Sequence, residues 1–350
     1  KAYVTVYNTN GTQDTTDDTA EYTDLQLTAS AVAVALQPGT YRIVETKVEG
    51  SDGYVLNPDD AGREKIVELE NGVGTKSVAL VNEKPDMELT LTKDSETAGL
   101  GNLWWQEADV TYTVAPSVTN SLPLTSYQLT ESGLTMWIAD GSGQKEITDS
   151  TPEYAQYVKN RYSITSIELD QVTDNLTGDP YGTGNLKGAE CSLNTITASV
   201  TAYDFDGNPV GEAATVPVSS ADVTARTVTF GSTPKIKYVT VSYEDITLKN
   251  SGINTGKEDG QKYVLGANFH PGSMKVTVHL DQQNAKDSEG AYLQQIEKVT
   301  NKAAAEMHYM LPDGEGVLTA DSDSAVAVKD IRITEQAAPV VSFDKAVDKS

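Results

Sequence analysis

The sequence predicts an all-β protein made of tandem β-sandwiches. Short runs alternate apolar and polar residues, as at Met87, Leu89 and Leu91, and Gly, Asn, Asp and Pro separate the runs. Such runs are typical of half-buried strands, whose successive side chains point to opposite faces of a sheet. The chain also has 17 Tyr against 4 Phe, a balance that favours antiparallel sheets with one solvated face.

Alternating runs predict strands in both halves of the chain. They cover Ala2 to Val6, Tyr41 to Glu45, Val78 to Asn82, Met87 to Lys93, Val110 to Val114, and Met274 to Val278. The stretch from Ala291 to Met307 is ambiguous, because its apolar residues fit both a helix and a strand, and periodicity leaves both possibilities open.

A short surface helix is predicted after Thr151. Thr151 is a suitable N-cap, Pro152 suits the first helical position, and Tyr154, Tyr157 and Val158 follow at helical spacing. The rest of the chain gives no comparable helix signal.

Charge and length exclude several classes of protein. The 350 residues include 26 Lys and Arg against 51 Asp and Glu, a net charge of −25, so a nucleic-acid partner is not expected. The longest apolar run, Ala29 to Leu36 broken by Ser30, is far shorter than the roughly 20 residues that span a bilayer. The single cysteine, Cys191, cannot form an internal disulfide.

Two proline-bearing hinges divide the chain, one at residues 82–85 and one at 335–339. Each precedes a strand that ends on a lysine, Lys93 in one case and Lys345 in the other. We therefore expect one domain over residues 1–84, a second over 86–338, and the first strand of a third over 339–350. The sequence stops within this third pattern, so we expect it to be part of a longer protein.

A lysine on the apolar face of a strand is unusual, because burying an ammonium group is costly unless it is paired or neutralised. Glu131 and Asn301 occupy similar positions on other predicted strands and could meet Lys93 in one core. A protonated acid beside an amide would then let the neutral lysine amine attack the Asn carbonyl, giving an isopeptide bond without a cofactor. The alternative remains that Lys93 reaches solvent and that Glu131 and Asn301 serve as turn residues.

The first domain resembles the Cna-B (SpaA-like) repeat, a small β-sandwich of Gram-positive adhesins and pilins. The resemblance rests on residues 36–46, on Gly53 to Leu56 and on Val81-Asn82-Glu83-Lys84. It implies that Glu45 is the catalytic acid and Asn82 the crosslinked amide. In this family the bonded lysine lies on the first strand, whereas residues 1–7 resemble the second strand. We therefore expect the lysine to precede residue 1, and Lys1 is a poor substitute for it.

The second domain resembles the isopeptide-forming fimbrial (DUF11-like) sandwich. The matching motifs are Leu91-Thr92-Lys93, Leu129-Thr130-Glu131 and Val299-Thr300-Asn301. The resemblance implies an Ig-like β-sandwich with Lys93 and Asn301 as the bonded pair and Glu131 as the acid, although Asp is common at that position. Residues 135–265 or so have no counterpart and should form extra strands or a separate lobe.

Other features suggest weaker sites. Asp204, Asp206 and Asn208 could bind Ca²⁺, but the later Glu of a full loop is missing, which favours a hairpin turn. His270, His279 and His308 lack metal-ligand spacing. The Trp104-Trp105 pair and Trp137 could line a ligand surface or pack at the end of a sandwich.

The resemblances imply a structural stalk or shaft segment of an extracellular adhesin or pilin, anchored to the cell wall, whose partners are the neighbouring domains of the same chain. The alternative is a ligand-binding module in which residues 135–265 recognise a host protein or glycan. An extracellular hydrolase is a third possibility, but the sequence shows no motif for it. An enzyme acting on other molecules is therefore not expected, nor is any cofactor.

Overall fold

The computed structural model is almost entirely β, which confirms the predicted fold class. It describes residues 1–28, 30–48, 54, 63–71, 74–82, 84–101, 107–141, 143–172, 196–246, 263–283, 285–312 and 318–334. Helix in these residues is confined to two short turns, Ala155–Lys159 and Thr224–Arg226. None of the helices in this part of the chain is long and apolar enough to cross a membrane.

The strands are numbered in chain order. They are β1 (Ala2–Asn8), β2 (Thr19–Leu27), β3 (Gly39–Val48), β4 (Glu64–Leu69), β5 (Met87–Ser95), β6 (Gly99–Leu100), β7 (Glu107–Asn120), β8 (Leu124–Asp140), β9 (Gly143–Ile147), β10 (Tyr162–Leu169), β11 (Ile196–Tyr203), β12 (Ala214–Val216), β13 (Thr227–Thr229), β14 (Tyr238–Asp245), β15 (Met274–Asp281), β16 (Ile296–Pro312) and β17 (Leu318–Ile333).

The first four strands form an antiparallel sheet in the order β2-β1-β3-β4. Val4, Val6, Tyr41 and Glu45 are all buried. The alternation of β1 and β3 places these side chains on one face, because paired residues of neighbouring strands point the same way. A carboxyl group thus lies on the apolar face of this sheet.

The remaining strands form two sheets. One has the order β13-β10-β15-β7-β5, and the other has the order β12-β11-β14-β8-β16-β17-β6, with β9 paired to β8. A single hydrophobic cluster includes Val110, Tyr112 and Val278 of the first of these sheets and Leu129 and Val299 of the second. The two sheets therefore pack face to face as a β-sandwich.

The described residues between 135 and 265 extend this sandwich. The strands β10 and β13 lie in the five-stranded sheet, and β11, β12 and β14 lie in the other. They pack into the common core through Ile164, Ala198 and Val241. Residues 335–350, which include Lys345 and the expected third domain, lie outside the described part of the chain.

The ambiguous stretch from Ala291 to Met307 is extended from Ile296 onward. The strand β16 pairs with β8 on one side and β17 on the other. These two ladders satisfy its backbone groups, and its inward residues, such as Val299 and Ala303, are fully buried. Tertiary pairing decides between the two patterns that periodicity leaves open.

The helix after Thr151 differs from the prediction. The helical turn begins at Ala155, and Tyr157 and Val158 are buried instead of lying on the surface. The Thr151 hydroxyl accepts a hydrogen bond from the backbone N–H of Thr148 at 2.9 Å. Thr151 therefore closes the preceding turn and does not cap the helix, which explains the later start.

Candidate functional site

Three strands from the two packed sheets bring Lys93, Glu131 and Asn301 into the core. Lys93 ends the inward face of β5, whereas Glu131 on β8 and Asn301 on β16 come from the opposing sheet. Glu131 and Asn301 are completely buried, and Lys93 is 8% exposed. Lys93 Nζ donates a hydrogen bond to Glu131 Oε2, so the two groups are in direct contact away from solvent.

The Asn301 amide lies beside this pair. It is close enough to Glu131 to favour the ionised form of the carboxyl group. However, neither amide atom of Asn301, nor Oε1 of Glu131, makes a hydrogen bond of standard geometry within the described residues. Buried polar atoms usually have hydrogen-bond partners, so these three atoms are exceptions that lie together.

Burial dominates the electrostatics of the site. Desolvation raises the pKa of Glu131, and the attraction to Lys93 opposes that shift. Desolvation likewise lowers the pKa of Lys93, again against the attraction between the two groups. Both shifts favour the neutral forms, a protonated acid and a free amine.

Aromatic residues surround the pair. The Tyr112 ring centroid lies 5.1 Å from Lys93 Nζ. Tyr112 and Tyr162 are fully buried, and neither hydroxyl has a partner among the described residues. Burial raises the pKa of both phenols, with the Glu131 charge as a further cause, so they remain neutral. Sequence reasoning missed both tyrosines, although the alternation of Val110, Tyr112 and Val114 already marks Tyr112 as inward.

The arrangement can support amide formation. A free amine is a nucleophile, a carboxamide carbon is an electrophile, and a neutral carboxylic acid beside them can transfer protons. In this site all the required groups come from side chains of the chain itself.

A second acid and amide meet beside the first sheet: Glu45 lies on β3, whereas residues 74–82 form no strand, so the predicted strand from Val78 to Asn82 is wrong. Glu45 is 2% exposed, and burial raises its pKa while the side chain of Asn82 opposes the shift. Neither carboxyl oxygen of Glu45 has a hydrogen-bond partner of standard geometry in the described residues, nor does Asn82 Oδ1. Lys1 is exposed, so this site contains the acid and the amide that the sequence predicts but no identified lysine.

The weak calcium candidate is a closed hairpin turn. Asp204 Oδ1 accepts hydrogen bonds from the backbone N–H groups of Asp206 and Asn208, each at 2.9 Å. The Asp206 carboxylate pairs with Lys159 at 2.6 Å. These oxygens therefore stabilise the turn.

Trp137 belongs to a polar cluster on the outer face of the large sheet. Its Nε1 donates to Thr300 Oγ1 at 3.0 Å, and Lys298 Nζ lies 4.2 Å from the ring centroid. Lys298 in turn pairs with Asp330 at 3.0 Å. The ring packs within the sheet face, in agreement with the packing interpretation. Trp104, Trp105 and Cys191 lie outside the described residues.

The three histidines lie apart. His279 pairs with Asp109, His308 pairs with Glu306, and His270 contacts the backbone oxygen of Val118. The described residues contain no group of three or more His, Cys, Asp and Glu side chains arranged to hold a metal.

Comparison with known proteins gives only distant similarities. No family model and no curated protein matches the chain. Among solved structures, the chain is similar to the major pilin subunit BcpA of Bacillus cereus, with 14% identity, a TM-score of 0.27, and coverage of 96% of this chain and 64% of that one. The major pilin SpaD of Corynebacterium diphtheriae has 12% identity and a TM-score of 0.26, with coverage of 93% and 58%.

A third similar structure is AvmM, described as catalysing macrocyclisation in alchivemycin A biosynthesis, with 10% identity, a TM-score of 0.20, and coverage of 76% and 98%. The chain spans less than two thirds of the length of either pilin. At these TM-scores the similarities identify neither a family nor an activity.

Proposed function

We propose that this chain is a structural segment of a bacterial cell-surface stalk or pilus shaft, and that an isopeptide bond between Lys93 and Asn301 locks its large sandwich. The observation that supports the bond is the burial of an amine, an acid and a carboxamide in one core, with the amine and acid in direct contact. The surface location, the cell-wall anchor and the pilin-like role are part of this proposal.

The reaction needs only these three side chains. The neutral Nζ of Lys93 attacks Cγ of Asn301, so an Nζ–Cγ bond forms and the Cγ–Nδ2 bond breaks. The protonated Glu131 donates its proton to Nδ2, which leaves as ammonia, and the resulting carboxylate takes one proton from the lysine nitrogen. The acid is regenerated, and the chain reacts once on itself, so it is not an enzyme acting on other molecules.

The bond would connect the two sheets of the sandwich. Lys93 lies on β5 and Asn301 on β16, and these strands belong to different sheets. A crosslink between them would constrain the unfolded chain in the way a disulfide does. With one cysteine in 350 residues, the chain has no internal disulfide for that purpose.

We include Glu45 and Asn82 in the same proposal as the acid and amide of a corresponding site beside the first sheet. The burial of Glu45 and its contact with the Asn82 side chain support it. The lysine that would complete this site is not identified.

The stalk is favoured over the ligand-binding alternative by two observations. The described residues between 135 and 265 extend the two sheets. Trp137, the aromatic candidate for a binding surface, is held by Thr300 and Lys298.

Intact-mass measurement of the purified chain tests the bond. We expect the wild type to lack the mass of one ammonia, and tandem mass spectrometry to identify a branched peptide joining Lys93 to Asn301. Lys93→Ala, Asn301→Ala and Glu131→Gln should each lose the branched peptide. The control Lys329→Ala removes a lysine that pairs with Asp94 at the surface and should retain it. Absence of the branched peptide from the wild type would refute the proposal.

A further inference from the structure

A β-bulge lies next to the acid. In the pairing of β8 with β16, Glu131 opposes Ala303 and Gly133 opposes Lys302, so Ser132 is the extra, unpaired residue. The bulge changes which residues of β8 point inward. From Tyr127 to the bulge the inward residues have odd numbers and end at Glu131; after it, Leu134 and Met136 are inward.

Gly133 is the residue that permits this geometry. Its φ of +95° lies in the left-handed region, where a side chain is strained. A Cβ atom at this position would lie 2.9 Å from the backbone oxygen of Lys237. Conformation and space both require glycine here.

The bulge also brings a backbone donor near the acid. The N–H of Gly133 lies close enough to the Glu131 carboxyl group to lower its pKa against the effect of burial, without a hydrogen bond of standard geometry. In a regular strand, N–H groups lie in the plane of the sheet and side chains stand perpendicular to it. The N–H two residues after an acid would not face that acid without the bulge.

We propose that the Ser132–Gly133 bulge is a positioning element for Glu131, fixing the carboxyl group between Lys93 and Asn301. This inference rests on the proposed isopeptide bond. It assigns a role in the reaction to two residues that bear no reacting group, and it explains why the alternation of β8 breaks directly after the acid.

Deletion of Ser132 tests the role without disturbing the core. In the shortened strand Glu131, Gly133 and Leu134 would oppose Ala303, Lys302 and Asn301 one to one, which are the pairs already present. The inward residues on both sides of the deletion would stay inward. The variant should therefore fold while its acid loses the Gly133 N–H.

A second bulge of the same strand pair provides the matched control. Ser126 opposes His308 and Leu124 opposes Tyr309, which leaves Thr125 unpaired. Deletion of Thr125 removes this second bulge in the same way. Thr125 lies six residues from Glu131, about 20 Å along the strand. Gly133→Ala is a second test variant, matched by Gly207→Ala, because Gly207 also has a positive φ, +82°, but no atom within 4 Å of the added Cβ.

The measurement is the time course of ammonia loss after cell-free synthesis, at several pH values, with circular dichroism to verify folding. We expect deletion of Ser132 to slow crosslinking by about 100-fold, as misplacement of a reacting group commonly does, and Gly133→Ala to slow it as well. The residual rate should persist to higher pH, since without the Gly133 N–H the acid holds its proton more tightly. Both controls should react at the wild-type rate.

The outcomes separate the two proposals. If the wild type crosslinks and either folded test variant does so at the wild-type rate with an unchanged pH profile, the positioning role is wrong while the bond stands. If the wild type loses no ammonia, the bond is wrong and the positioning role falls with it.

Discussion

The free energy that the Lys93–Asn301 bond contributes can be worked out from its place in the chain. The bond would close a loop of 301 − 93 = 208 residues. The loop-closure entropy for that length corresponds to about 5 kcal/mol at 25 °C. For a domain of this size, the loss of about 5 kcal/mol of unfolding free energy lowers Tm by roughly 10 °C. A non-covalent contact between two buried side chains couples by only about 0.5–3 kcal/mol.

A double-mutant cycle measures this coupling directly. We expect Lys93→Ala and Asn301→Ala to destabilise the sandwich strongly when made singly, because each abolishes the crosslink. When one of the two substitutions is already present, adding the second should lower the free energy of unfolding only by the packing lost at its own position. The measurement is urea unfolding of the wild type, both single variants and the double variant, followed through the tyrosine and tryptophan signals.

The expected coupling energy is about 5 kcal/mol, the value of the loop constraint. Additive effects, or a coupling within the 0.5–3 kcal/mol range of ordinary neighbours, would refute the covalent interpretation. Glu131→Gln serves as the control, since it should remove the coupling while leaving both bonded residues in place.

Three further predictions concern the first sheet, the outer face and the hairpin turn. Burial raises the pKa of Glu45 above 4.5, so the stability that this group contributes should be present below about pH 4.5 and be lost as pH rises through the folded-state pKa. Glu45→Gln should remove this pH dependence of Tm in thermal melts. Identical pH profiles of Tm for the wild type and the variant would contradict the prediction. Trp137→Ala should cost about 2 kcal/mol in urea unfolding, since the ring is half-buried and a fully buried Trp costs about 3–5; no loss of stability would show that the packing interpretation is wrong. Asp204→Ala should cost about 1 kcal/mol per lost hydrogen bond, and calcium should leave the wild-type Tm unchanged; a calcium-dependent rise would identify a metal site.

The candidate site was largely predictable because its residues break a pattern. Lys93, Glu131 and Asn301 are polar residues on otherwise apolar strand faces, and that violation is visible in the sequence. Local periodicity does not show which strands are neighbours. The position of Asn301 beside Glu131 follows from the pairing of β16 with β8 and β17. The same pairing decides that this segment is a strand and not a helix.

The bulge was beyond the sequence analysis for a related reason. Regular alternation through Tyr127, Leu129 and Glu131 predicts that Gly133 also points inward, whereas Leu134 is the next inward residue that packs. Ser132-Gly133 interrupts the period, and a glycine inside a strand is the available signal. The close approach of the Lys237 carbonyl that requires it comes from a segment about 100 residues later, which local pattern does not reveal.

The separation of Glu131 and Asn301 in the sequence, 301 − 131 = 170 residues, makes the role of register clear. The strand β8 has two edges: β16 occupies one, and β14 and β9 pair with other parts of β8. The other intervening strands lie beyond β14 or join the opposing sheet, and β8 pairs directly with β16. The length of the insertion therefore does not affect the site. What the sequence must specify is the alignment of β8 against β16 to within one residue, because a one-residue slip would turn the acid or the amide away from Lys93. The Ser132–Gly133 bulge lies at the point where that alignment changes.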